Sequence, residues 1–249
     1  MTQKVKLAVK QYKEYDFSTR NTLNPKLWED EALKEDVHSA LMKLAEEFIK
    51  FLNLDLDFDE VADIQLTGSL ANYNYTNFSD IDLHILFDFN KIDENEKLVK
   101  ELLMSKKTIW NKNYPIKVKG YEVEVYPQHL REEHFSTGIY SIMADNWEIK
   151  PEMPSKVWSK INIADIKKKA EELKYEIDSL ETNEDKTSAI DRIKEKIKNM
   201  RKAGLESGGE YSVENLVFKV LRRMGYLNKL YTIGREEYKK SLSLNGACT

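Results

Sequence analysis

Apolar residues at helical spacing predict two helices in the first half of the chain. Between about Trp28 and Leu54, the apolar positions are Val37, Leu41, Leu44, Phe48, Ile49 and Leu52. A recurrence every three or four residues is typical of a long amphipathic helix. The second predicted helix covers roughly Glu94 to Trp110, and its apolar positions include Leu98, Leu102 and Ile109.

Alternating polar and apolar residues predict the strands. Residues 63–69 predict a short strand that runs into a turn. Residues 80–89 place two sets of side chains on opposite faces, namely Asp80, Asp82 and His84 against Ile81, Leu83 and Ile85. This period of two is typical of a half-exposed strand. Residues 117–128 alternate in the same way, and residues 137–151 predict a hairpin that turns near Ala144-Asp145-Asn146.

Beyond Pro154 the pattern is helical throughout. Two apolar stripes with a spacing of three and four contain Ile166, Ala170, Leu173, Ile177 and Leu180, then Ile190, Ile193, Ile197 and Met200. Joined by residues 181–188, these stripes predict an antiparallel pair of helices. Residues 204–212 interrupt the pattern, and Val213 to Tyr231 predict one more amphipathic helix.

This order of elements predicts an α+β fold, with a small mixed β-sheet core, flanking helices and a helical C-terminal domain. We expect the first domain, including the N-terminal helix, to span residues 1–154 and the second to span 155–249. A chain of 249 residues is long enough for two modest domains of this kind.

Composition indicates a soluble protein, with 41% hydrophobic and 33% charged residues. No apolar run reaches the roughly 18–20 residues that span a bilayer, and the basic N-terminus has no apolar signal-peptide core. The single Cys248 excludes a disulfide within the chain. We therefore expect a cytoplasmic protein without a membrane partner.

Charge is unevenly distributed along the chain. Residues 186–249 carry 14 Lys/Arg against 7 Asp/Glu, a net charge of +7, which leaves −11 for the rest. This distribution suits a protein that handles a polyanion, such as an RNA or nucleotide acceptor. The alternative is that these are ordinary solvated helices, and the pI of about 5.8 argues against strong general binding to nucleic acid.

The carboxylates of Asp80 and Asp82 are the first candidates for chemistry. Residues one position apart on a strand point the same way, at a spacing of about 6–7 Å along the backbone. Two such carboxylates can share one divalent cation or bridge two of them, and oxygen ligands suit Mg²⁺ or Mn²⁺. Phosphoryl and nucleotidyl transfer depend on cations held in this way. An isolated Asp-Ile-Asp is more often structural or solvated.

A third carboxylate has two candidates on the predicted strand within residues 117–128. Glu122 and Glu124 lie on one face of that strand, and we favour Glu124. Either side chain could complete a metal site or accept the proton of an attacking hydroxyl.

The turn after the first strand is the candidate phosphate-binding element. Gly68 permits a tight turn, and Ser69 opens a predicted short helix whose free N–H groups would favour an anion. Thr67 and Ser69 add hydroxyl groups. A Gly-Ser pair alone is a weak signal, whereas Gly-Ser, then Asp-Ile-Asp on the next strand, then a carboxylate on a later strand is a specific order.

That order resembles the DNA polymerase β-like nucleotidyltransferase superfamily. The segment TGSLANYNYTNFSDIDLHI (residues 67–85) carries the resemblance, and GYEVEVYPQ (120–128) supports it more weakly. Within the superfamily the chain looks most similar to bacteriophage-encoded nucleotidyltransferases, which have segments like residues 134–151 and 204–230.

The resemblance implies a nucleotidyltransferase core, an NTP as co-substrate, Mg²⁺ and release of pyrophosphate. By position, Gly68 and Ser69 would hold the triphosphate, and Asp80, Asp82 and Glu124 would be the catalytic, metal-binding carboxylates. Many members of the superfamily have Asp at the third position, where this chain offers two glutamates.

Histidines and tyrosines near these motifs are further candidates, each with a structural alternative. His84 shares the polar face of the Asp80–Asp82 strand and could contact phosphate, or it could be a hydrogen-bonded structural histidine. Tyr73 and Tyr75 could stack on a base or pack within their loop. Three further residues could contact nucleotide, although we favour loop or surface positions for them: His129, Arg131 and His134.

Three basic residues of the last predicted helix complete the nucleotide-binding candidates. Lys219, Arg222 and Arg223 could bind phosphates of the donor or acceptor, and the alternative is a solvated helix face.

We therefore expect an enzyme that transfers NMP from an NTP to a hydroxyl acceptor. The alternatives are a synthase of a small cyclic or linear nucleotide signal, an enzyme that nucleotidylates an antibiotic or protein, and an inactive binding or antitoxin module.

Overall fold

The computed structural model describes residues 20–54, 56, 58–134, 136–153, 162–183 and 185–243. They fall into two compact units, one within residues 18–155 and the other within 156–249. The predicted α+β fold is confirmed, since a mixed sheet with flanking helices is followed by a helical region. The predicted boundary between domains 1–154 and 155–249 lies outside the described residues and stays a prediction.

A six-stranded sheet forms the centre of the first unit. Its strands are β3 (Val61–Thr67), β4 (Ile81–Phe87), β5 (Lys117–Val118), β6 (Tyr121–His129), β7 (Ile139–Ser141) and β8 (Asn146–Ile149). They lie in the order β5-β6-β4-β3-β7-β8. The sheet is mixed because β4 and β6 are parallel, whereas the other neighbouring pairs are antiparallel. The predicted hairpin is confirmed, with Asp145 in its turn at φ 51°.

A separate hairpin replaces the start of the first predicted helix. Strands β1 (Trp28–Glu29) and β2 (Ala32–Leu33) pair across a turn in which Asp30 has a φ of 53°. Helix α1 begins only at Glu35 and ends at Leu52. The predicted start of this helix near Trp28 was wrong, because Trp28 lies in the hairpin and stacks on Trp147, at 4.8 Å between ring centroids. A contact with a residue so distant in sequence has no signature in local periodicity.

The remaining helices of this unit are α2 (Phe89–Ile92) and α3 (Glu96–Asn113). The predicted helix is confirmed as α3, but the apolar positions named for it, Leu98, Leu102 and Ile109, are 56%, 37% and 48% exposed. The residues that α3 buries are Val99, Leu103 and Trp110. Both sets have helical spacing, so periodicity alone could not select between them.

The apolar face of β4 is fully buried. Ile81, Leu83 and Ile85 belong to the same core as the buried residues of α1 and α3. Because side chains alternate along a strand, Asp82 and His84 lie on the opposite face. The alternation predicted for this segment is confirmed, and it places the carboxylates away from the core.

The second unit is helical over its described residues. Its helices are α4 (Ile163–Asp178), α5 (Lys186–Gly208), α6 (Val213–Arg223) and α7 (Tyr226–Leu242). The single predicted helix from Val213 to Tyr231 was wrong, since Gly225, at φ 80°, separates α6 from α7. Helix α5 continues through Gly208, so the break between helices begins later than residue 204, where it was predicted. Over the described residues, no helix combines the length and the apolar composition that a membrane span requires.

Candidate active site

Parallel pairing of β4 with β6 brings three carboxylates together. Asp82 lies opposite Glu124 in the register, and Asp80 immediately precedes β4. One carboxylate oxygen from each of the three side chains lies within 4.8 Å of the others. Asp80 and Asp82 are half-buried and Glu124 is exposed, so the group is accessible from solvent. This carboxylate triad has the donor chemistry of a site for a divalent cation.

The two predicted candidates for the third carboxylate have different surroundings. Glu124 belongs to the carboxylate triad. Glu122 lies 3.4 Å from the Lys117 ammonium on β5 and has a side chain that is 66% exposed. The geometry therefore favours Glu124 over Glu122.

Lys107 of α3 contacts the carboxylate triad, and sequence reasoning missed it. Its Nζ lies 2.9 Å from Glu124 Oε1 and 4.5 Å from the centre of the Tyr126 ring. The ammonium thus fixes one oxygen of Glu124 and neutralises part of the negative charge. Lys107 is one of five lysines on α3, and no local pattern distinguishes it from the others.

Gly68 lies directly against Asp82. Its φ of 75° favours glycine, and a Cβ at this position would lie 1.9 Å from Asp82 Oδ2. Thr67, which is buried, is the register partner of Asp82 across β3 and β4. Only glycine thus leaves space beside this carboxylate.

Hydrogen bonds fix the residues that follow β3. Gly68 N donates to Ser136 Oγ at 3.3 Å, and the Ser69 and Ser79 hydroxyl oxygens lie 2.7 Å apart. The predicted short helix is a four-residue 3-10 helix, Gly68–Ala71. Because its dipole is small, anion binding here would depend on individual N–H and hydroxyl groups.

His84 lies on the same face as Asp82 but is tightly packed. Its Nδ1 lies 2.6 Å from Gln128 Oε1, and its ring is 5.0 Å from Tyr126 and 4.8 Å from His134. Burial lowers the pKa of His84 to about 4, although the Gln128 hydrogen bond acts in the opposite direction. A neutral, hydrogen-bonded ring fits the structural alternative.

Of the other histidines, only His134 lies beside this face, and burial lowers its pKa as well. His129 is the register partner of Phe87, five positions beyond Glu124 on β6, which is about 17 Å. Its Nε2 lies 3.8 Å from Glu96 Oε1, an oxygen that the exposed Arg131 approaches to 3.7 Å. His129 and Arg131 are thus remote from the carboxylate triad, and the predicted loop or surface position is wrong for His129, which is buried at the end of β6.

Tyr73 and Tyr75 pack within their loop. Tyr73 is 7% exposed and belongs to the core, and its carbonyl accepts a hydrogen bond from Arg20 N at 2.7 Å. Tyr75 is half-buried, and the Arg20 guanidinium carbon lies over its ring, 5.9 Å from the ring centre. These positions match the packing alternative for both rings.

Lys219, Arg222 and Arg223 lie on α6 in the helical unit. Arg222 is exposed, whereas Lys219 and Arg223 are half-buried. Desolvation lowers the pKa of Lys219. The negative charge of Glu210 raises this pKa, and the positive charges of Arg223, Arg222 and Arg201 lower it. Over the described residues, Lys219 makes no direct hydrogen bond or ion pair.

Comparison with known proteins identifies the family. No curated protein and no solved structure matches the chain. The family model described as the nucleotidyltransferase domain matches residues 42–203, which is more than half of the chain. This span includes Gly68, Ser69 and the carboxylate triad, and the match supports the predicted polymerase β-like superfamily. The chain therefore belongs to the nucleotidyltransferase domain family.

Proposed function

We propose that this protein is a metal-dependent enzyme that transfers NMP from an NTP to a hydroxyl group. The observation that carries the proposal is the carboxylate triad of Asp80, Asp82 and Glu124, whose oxygens lie within 4.8 Å of one another. Gly68 supports the proposal because its lack of a Cβ lets the turn after β3 lie directly against the Asp82 carboxylate.

The residues present fit Mg²⁺ or Mn²⁺, since all three donors of the carboxylate triad are oxygens. A bound cation would neutralise charge that develops on the phosphoryl oxygens during transfer. Asp80, Asp82 and Glu124 would hold it. Gly68 N–H and the Ser69 hydroxyl would orient the triphosphate.

Transfer forms a bond between the acceptor oxygen and the α-phosphorus and breaks the bond to the β-phosphate. Pyrophosphate leaves, and the acceptor hydroxyl loses its proton. Glu124 is the carboxylate placed to accept that proton, because its side chain is exposed whereas Asp80 and Asp82 are half-buried. The Lys107 contact at 2.9 Å holds Glu124 in one orientation while it does so.

For the acceptor we propose RNA or a nucleotide. Residues 186–249 carry a net charge of +7, and Lys219 lies among three arginines without a direct anionic partner in the described part of the chain. A phosphate group would supply that partner, so Lys219, Arg222 and Arg223 are the proposed phosphate contacts. The similarity to bacteriophage enzymes and a cytoplasmic location stay predictions.

The test is an incubation of the pure protein with Mg²⁺ and each labelled NTP, with and without a total RNA pool. The matched control is the double variant Asp80→Ala/Asp82→Ala. Label that moves into RNA only with the unmodified protein supports the proposal. Label in a small cyclic or linear nucleotide would instead establish the synthase alternative. An absence of both NTP binding and pyrophosphate release would overturn the proposal and favour a binding module.

A further inference from the structure

The loop that enters β7 contacts the turn that ends β3. Ser136 Oγ accepts a hydrogen bond from Gly68 N at 3.3 Å and donates one to Gly138 O at 2.9 Å. Thr137 Oγ1 accepts from Asn72 Nδ2 at 2.7 Å. Residues 68 and 136 are far apart in sequence, so this contact is a product of the fold.

Contacts of the Ser136 N–H and of Gly138 hold this loop in place. A Cβ at Gly138 would lie 2.1 Å from Ala71 O, so the loop packs tightly against the Gly68–Ala71 helix. Ser136 N donates to His134 Nδ1 at 3.4 Å.

The position of Ser136 Oγ relates it to the carboxylate triad. It is bonded to the N–H of Gly68, and the missing Cβ of that same residue would lie 1.9 Å from Asp82 Oδ2. A ligand oxygen that binds the Gly68 N–H must therefore occupy the place of the serine oxygen or lie beside it. Ser136 is half-buried, so part of the residue is exposed to solvent.

The Gly68 contact is replaceable by a phosphate. An N–H···O distance of 3.3 Å is longer than the usual 2.9–3.0 Å, so the neutral hydroxyl binds this N–H weakly. A charged phosphate oxygen forms a stronger hydrogen bond with the same donor. The displaced hydroxyl can then turn its proton from Gly138 O toward that oxygen.

We propose that Ser136 is a further triphosphate-binding residue, whose hydroxyl occupies the phosphate position on Gly68 N–H and donates to the phosphate once NTP is bound. This inference rests on the proposed function, since it needs an NTP at the carboxylate triad. The triphosphate site would then include Ser136, from the loop before β7, as well as the turn after β3.

The experiment measures binding of Mg²⁺–NTP and of Mg²⁺–tripolyphosphate by calorimetry. Ser136→Ala should weaken both about tenfold, because one hydrogen bond to a charged group is lost. Ser136→Thr keeps the hydroxyl and should retain most of the affinity. Thr137→Val is the matched control, since it removes a hydroxyl from the same loop but leaves the Gly68 contact; its affinity should stay within about twofold of the unmodified protein.

A second measurement does not depend on any variant folding. In the unmodified protein, the Gly68 amide resonance should shift when Mg²⁺–tripolyphosphate is added. Unchanged affinity in Ser136→Ala would overturn the role of Ser136 alone. An unmoved Gly68 resonance while the ligand binds would overturn both the role of Ser136 and that of the Gly68 N–H. Failure of the unmodified protein to bind any NTP would overturn the proposed function and, with it, this inference.

Discussion

At the scale of single residues, the register of β6 distinguishes two neighbouring glutamates. Glu124 lies in the carboxylate triad, whereas Glu122 pairs with Lys117 at the edge of the sheet. Glu124→Gln should lower the rate of pyrophosphate release by at least about 10²–10³-fold, because it removes a metal ligand and a proton acceptor. Glu122→Gln, the same change two residues away, should stay within about twofold, since an exposed ion pair contributes little.

Initial rates at saturating Mg²⁺ and NTP compare the two glutamate variants. Equal losses in both would contradict the assignment of Glu124, and a loss in Glu122→Gln alone would reverse it.

Substitution of two glycines with positive φ angles distinguishes the effect of backbone strain from that of a steric clash. Gly68, at φ 75°, has Asp82 Oδ2 where a Cβ would lie, whereas Gly120, at φ 89°, has open space there. Gly120→Ala should cost about 1 kcal/mol of unfolding free energy from strain alone and leave transfer intact. Gly68→Ala should cost more and abolish measurable transfer, since Asp82 must move.

Denaturant titration and a transfer assay on both glycine variants provide the measurements. If Gly68→Ala were as active as Gly120→Ala, transfer would not depend on the close contact between Gly68 and the Asp82 carboxylate.

At the scale of elements, α3 has two apolar faces of which one is buried. Leu103 is fully buried and Leu98 is 56% exposed, although both fit helical spacing. Leu103→Ala should lower the free energy of unfolding by about 2–4 kcal/mol because it leaves a cavity. Leu98→Ala should change it by no more than about 0.5 kcal/mol. Equal effects in urea unfolding would contradict the orientation of α3.

His84 makes the stability of the sheet depend on pH. Burial lowers its pKa from 6.5 to about 4, so the folded state keeps the ring neutral where the unfolded chain binds a proton. The stability contribution is therefore complete above pH 6.5 and is lost as the pH falls toward 4. The free energy of unfolding should fall by on the order of 2 kcal/mol across that window.

His84→Gln supplies the control for this pH dependence. Its amide can still donate to Gln128 but does not titrate, so its unfolding free energy should fall less steeply between pH 6.5 and 4. Parallel pH profiles for the two proteins would exclude His84 as the cause.

Prediction from sequence succeeded where the determinant was local. Alternation in residues 80–89 placed Asp82 on the face opposite the core, and the order of motifs indicated the family. It failed where the determinant was a contact between distant segments. Trp28 lies in a hairpin because it stacks on Trp147, and neither the Lys107–Glu124 ion pair nor the Ser136–Gly68 hydrogen bond has a local pattern.

At the scale of the whole molecule, acidic and basic charge lie in different parts of the chain. Residues 186–249 carry +7 and the rest carries −11. If RNA is the acceptor, phosphate contacts from α6 should make its binding depend on salt. Arg222→Ala/Arg223→Ala should raise the KM for RNA and reduce the slope of log KM against log salt by about 1.5–2, because two phosphate contacts are lost.

The matched control removes two positive charges from α7. Lys239 and Lys240 are each 68% exposed and pair with Glu236 and Glu237 on their own helix. Lys239→Ala/Lys240→Ala makes the same change in net charge, so an effect of charge alone would lower RNA affinity equally in both double variants. Only a larger effect in Arg222→Ala/Arg223→Ala would place the acceptor at α6, because the arginines would then act through contact and not through net charge.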